Sequence, residues 1–175
     1  MTPQAAEKRD FKLKPLSKDG VEAALGKAET YRLLNQPRLA ESICLDVLEV
    51  DPANQKAGVF LLLALTDQFG QSSSAASRRA EEIALKFKDE YARLYYTGII
   101  RERLGNVSLN SGIPGSEFDA FEWYVEAMDY FEKADAINKD GRNDDPVLRW
   151  NTCARTIMQY SLKERPADDG PGILE

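Results

Sequence analysis

The sequence predicts an all-α chain, and three observations carry that reading. Apolar residues recur at helical spacing from about residue 20 to residue 164. No segment alternates apolar and polar residues between turn signals, as a half-buried strand would. Small residues also stand where core helices usually carry large ones. In AMDYFEKADAI, residues 127 to 137, Ala127, Phe131 and Ala134 share one stripe, because a helix returns to the same side after four and seven residues.

Taken in order, residues 1–18 hold five basic and two acidic side chains with Pro3 and Pro15, which predicts an extended or disordered basic arm. Ser17 or Asp19 is placed to cap the first helix. The second helix carries Ala40, Cys44 and Val47 on one face. AGVFLLLALT, residues 57 to 66, is ten residues long, about half of the roughly 20 that a membrane-spanning helix needs, and predicts a buried helix. After the turn FGQSSS, Ala76, Ala80 and Ile83 repeat the small-residue face. DEYARLYYTGIIRERLG follows, with Gly98 at a small position and Gly105 read as its turn. NVSLNSGIP predicts a loop, and Ser116 a cap for an overlong helix with Glu117 and Asp119 in its first turn. An insertion at about 106–120 is thereby expected within a domain of residues 19–165. Pro166 is expected to end the last helix and begin a tail of residues 166–175.

Tyr31, Ala40 and Pro52 lie at intervals of nine and twelve, and Trp150, Cys153, Ala154 and Ile157 follow W-x2-L-G-x2-Y spacing. With four segments in one register, residues 21 to 164 resemble the tetratricopeptide repeat family. The resemblance implies about three repeats and a solvating, capping C-terminal helix, wound as a right-handed superhelix of helix pairs, with an irregular helical bundle as the alternative. Neighbouring helices would then cross closely, which alanine and glycine permit. It further implies a concave groove, lined by the first helix of each unit, that holds an extended peptide or a partner helix. The inward stripe then supplies Arg32, Val59, Leu63, Tyr95, Ile99, Asn151, Arg155 and Met158 as candidate groove residues.

Chemistry has little to work with. The chain has no histidine, which removes Ser-His-Asp and Cys-His catalysis and histidine-bearing metal sites. The loop NSGIPGS lacks the lysine and spacing of a phosphate cradle, and NKDGRNDD lacks the spacing of a calcium loop. Cys44 and Cys153 sit in apolar helical contexts and are expected as buried thiols, consistent with a reducing cytoplasm. The charged N-terminus gives no apolar block for export.

A net charge of -6 disfavours nonspecific binding to nucleic acid or to anionic membranes. Residues 117–145 concentrate ten acidic against three basic side chains, a surface for a basic partner or for the protein's own arm, or else a solubilising face. The expected function is a cytoplasmic, non-catalytic adaptor without cofactor that binds a protein or peptide, with a homodimer or a secretion-type or assembly chaperone as variants. The rival of another class is a helical enzyme with a carboxylate site at Glu122 and Glu126.

Overall fold

Residues 11–71 and 74–166 are described by a computed structural model. They form a 3-10 turn at Lys18–Gly20 and then helices α1 (Val21–Leu33), α2 (Pro37–Val50), α3 (Gln55–Thr66), α4 (Ala75–Leu85), α5 (Glu90–Leu109), α6 (Ser116–Ile137) and α7 (Asp145–Tyr160). The described residues contain no strand, so the all-α expectation holds. Each helix packs on the next in sequence, and α1 also reaches α3. No described helix is long and apolar enough to cross a membrane.

The small-residue faces are where the helices meet. Ala40, Cys44 and Val47 of α2 are fully buried, as are Ala127, Phe131 and Ala134 of α6. In α4, Ala76 and Ala80 are buried, but the next buried position is Ala84 rather than Ile83, which is half-buried. The stripe on α6 also runs back through Tyr124 and Ala120, both buried. Opposite it, α5 presents glycines: a Cβ built on Gly105 would stand 2.9 Å from Cε1 of Tyr124. Both cysteines are free and buried.

Several boundaries differ from those the sequence suggests. Gly105 is no turn; it lies inside α5, which runs on through residues 106–109 and leaves only residues 110–115 as the connection to α6. Most of the insertion at 106–120 is thus spent on lengthening two helices, because Tyr124 fills the space at Gly105 and anchors its hydroxyl on Asn106 Oδ1 at 2.7 Å. Ser116 is the first helical residue of α6 and does not cap it; Gly115, at φ 86°, takes the cap position. At α1 neither Ser17 nor Asp19 caps, and Gly20 precedes the helix without a side-chain bond.

Helix α7 stops six residues before Pro166. Ser161 turns left-handed at φ 52°, Leu162 N–H donates to the Ile157 carbonyl at 3.0 Å, and Ser161 N–H to that of Met158 at 3.3 Å. This is a Schellman closure, completed by packing of Leu162 and Ile157 in the same apolar cluster. Of the N-terminal arm, residues 11–17 carry no regular structure, and Leu13 to Leu16 line a cavity with Leu45, Asp46 and Glu49 of α2. Residues 1–10 of that arm, Ser72 and Ser73 of the turn FGQSSS, and residues 167–175 of the tail lie outside the described residues.

Candidate functional site

The residues assigned to a groove separate into three groups. Tyr95 and Ile99 are buried, at 9% and 2% exposure, in the cluster that joins α5, α6 and α7, where half-buried Leu63 also packs. Tyr95 stacks on Tyr91 with ring centroids 5.7 Å apart and tilts against Phe131 at 5.9 Å. Half-buried Val59 packs on the cluster formed by the first five helices. Tyr95 and Ile99 are interior packing beneath α6 and α7, and Val59 and Leu63 are half-buried against two different clusters, so the four do not form one open apolar centre.

On α7, Asn151 is half-buried, while Arg155 and Met158 are exposed. Arg155 makes no ion pair among the described residues. The arginine that faces α5 is Arg149, six residues earlier: its Nη1 lies 3.1 Å from Oε1 of Glu102, a carboxylate only 5% exposed. Burial opposes the charge on Arg149, but Glu102 and the Tyr95 phenol outweigh it and hold the guanidinium above its ordinary pKa. Burial likewise pushes the Tyr95 phenol up, against the hydrogen bond from Arg149.

The carboxylates of the rival reading are both engaged by arginine. Arg101 reaches from α5 to Glu81 of α4 and, through Nε at 2.8 Å, to Glu126 of α6, with its guanidinium 5.4 Å from the Trp123 ring. Glu122 lies 3.8 Å from Arg165 Nε, which also pairs with Asp119. These arginines tie three helices and the chain after α7 together. Among the described residues no cluster of three or more acidic or cysteine side chains is arranged to hold a metal ion.

Arg32 belongs elsewhere, to an open cleft of about 890 Å³ where the C-terminal ends of α1 and α3 approach the far half of α5. Local rules shape each wall. Past α1, Asn35 adopts φ 56°, a left-handed conformation that asparagine tolerates, and Gln36 N–H closes onto the Tyr31 carbonyl at 2.8 Å. At the end of α3, Thr66 donates to the Leu63 carbonyl at 2.8 Å and Asp67 takes the C-cap position. From α5 come Arg103, Asn106 and Val107, with Asn110 and Ser111 just beyond its end.

Asp67 is the hub of this cleft. It accepts a hydrogen bond from Arg32 Nε at 2.9 Å, and its other oxygen is 3.7 Å from Arg103 Nη2. That second distance is too long for a hydrogen bond. Arg103 Nε is buried and has no hydrogen-bond partner among the described residues. Sequence reasoning identified Arg32 but passed over Asp67, Arg103, Asn35 and Asn110. Only the approach of three helix ends brings them together, and no spacing in the chain records that approach.

No protein-family profile, curated protein or solved structure matches this chain.

Proposed function

We propose that the chain is a non-catalytic, tetratricopeptide-like adaptor that holds an extended segment of a partner protein across the ends of α1, α3 and α5. One observation carries the reading: the cleft at which these three helices converge is lined by arginine and asparagine side chains with hydrogen-bonding capacity left over. A cleft of about 890 Å³ is at the upper end of the roughly 300–1,000 Å³ of ligand sites and accommodates several residues of peptide. The right-handed superhelix of helix pairs belongs to the same proposal. Its support is the pairing of each helix with the next and the burial of Ala40, Ala80, Ala127 and Ala134 at the contacts. Engagement of Glu122 and Glu126 by arginine favours this reading over the enzymatic one.

Photo-crosslinking tests it. A benzoylphenylalanine at exposed Asn110 should crosslink a discrete partner in extracts of the source cells, and the same group at exposed Leu85 of α4 should not. Equal crosslinking from both positions, or from neither, overturns the proposal.

A further inference from the structure

We propose that the cleft at α1, α3 and α5 receives a carboxylate, the side chain of an aspartate or glutamate in an extended peptide, against Arg32 and Arg103. This inference rests on the adaptor reading above and names the chemistry that the peptide brings.

Arg103 is the reason. An arginine carries five N–H donors, and this one makes no hydrogen bond among the described residues although its Nε is shut off from solvent. The side chain is 33% exposed, so its terminal Nη donors, not the buried Nε, are what an incoming acceptor reaches, and they have no hydrogen-bond partner among the described residues. Arg32 is similarly underused: among the described residues only its Nε is engaged, on Asp67. A planar guanidinium fork matches a carboxylate through two parallel hydrogen bonds, a geometry that a single amide or hydroxyl acceptor does not fill.

Charge narrows the ligand. Arg32 and Arg103 face Asp67, the one acid among the described residues that line the cleft, so it is locally positive on a chain whose net charge is -6. The overall charge points to basic partners, but the cleft selects an acidic group. A monoanion leaves the site close to neutral. A phosphate dianion meets Asp67 and the carbonyl ends of α1 and α3, which carry partial negative charge. The volume far exceeds one carboxylate, Asn35 and Asn110 at the exposed margin are suited to peptide backbone, and Phe69 and Val107 supply apolar wall.

The test is selection of random dodecapeptides displayed on phage against the full chain, followed by synthesis of the best binder. Selected peptides should be enriched in aspartate and glutamate. The synthetic peptide should lose affinity by roughly tenfold or more against Arg103→Gln, the scale of a lost charged hydrogen bond. Asn110→Asp, at an exposed position whose amide otherwise bonds only the Asn106 carbonyl at the end of its own helix, should weaken it as well while a melting curve shows the fold retained. Phosphoserine in place of the acidic residue should bind less tightly. Binders without acidic residues, or binders indifferent to both substitutions, overturn the carboxylate assignment and leave the adaptor reading standing. Tighter binding of the phosphoserine peptide reassigns the site to phosphate and also overturns it. If no peptide is selected at all, both readings fall.

Discussion

Gly98 of α5 lies directly beneath the ring of Phe131 of α6, so close that a methyl group built on Gly98 would stand 2.6 Å from Cε1 and 2.8 Å from Cδ1. No side chain fits there without moving a fully buried ring. Gly98→Ala should therefore destabilise the protein by about 1 kcal/mol or more, even though alanine is the better helix former by roughly 1 kcal/mol. Gly26→Ala in α1, where nothing lies within 4 Å of the new methyl, should instead stabilise by about 0.5 to 1 kcal/mol. Urea unfolding of both variants checks the contrast. Combining Gly98→Ala with Phe131→Leu should cost less than the two single changes added, as a shared contact requires.

Ala134, fully buried in the same interface, extends the argument. Ala134→Leu should cost roughly 1 to 3 kcal/mol by overpacking. An unchanged melting temperature would show that α5 and α6 do not approach closely there.

Removing the guanidinium that faces Glu102 leaves a nearly buried carboxylate alone. Arg149→Met should cost about 2 kcal/mol, less than the roughly 3–5 kcal/mol of a fully buried pair because the Arg149 side chain is 35% exposed. Glu102→Gln should cost less than Arg149→Met, since an amide tolerates that environment better than a bare charge. Equal losses would show that the asymmetry of burial across the pair has no energetic effect.

Burial pushes the Cys44 thiol from its ordinary 9.0 up to about 11 and the Cys153 thiol up to about 12. Unfolded, both thiols ionise near pH 9; folded, both keep their protons well above it. Their contribution to stability is therefore complete below about pH 9 and is lost as pH rises toward 11 and 12. Urea midpoints should fall between pH 9 and 11, and Cys153→Ala should fall less steeply. At pH 8 a thiol reagent should react slowly with the native protein and rapidly in denaturant.

Tyr95 and Arg155, equivalent as candidates in the repeat register, should behave oppositely. Tyr95→Ala removes a buried ring and should cost about 3 kcal/mol or more. Arg155→Ala, exposed and outside every ion pair among the described residues, should change stability by less than about 0.5 kcal/mol. Thermal melts of the two variants decide.

Local periodicity explains what could be read from the sequence alone. The buried faces at Ala40, Cys44 and Val47, and at Ala127, Phe131 and Ala134, follow from helical spacing within one segment. Gly105 misled because a glycine that ends a helix and a glycine that makes room for a ring look alike in a sequence. Which it is depends on Tyr124, nineteen residues later on another helix. The face carrying Tyr95 and Ile99 was legible as apolar, but not as covered. Arg103 carried no signal, because its meaning comes from the ends of α1 and α3.

Ala120, Tyr124, Ala127, Phe131 and Ala134 advance by alternate steps of four and three, and Gly98 and Gly105 face them seven residues apart. This is a heptad seam, and such a seam is measured in whole repeats. Seven residues added to each helix would lengthen the hairpin by about 10 Å and keep ring against glycine, whereas one added residue would rotate everything beyond it by about 100°. Helix α1 stops after 13 residues and α5 continues to 20, and every α5 residue lining the cleft, from Arg103 onward, lies in that excess. Hairpin length and the wall of the cleft are thus a single variable. A chain of this design changes its far wall by gaining or losing a heptad, with the rest of the helical stack left in register.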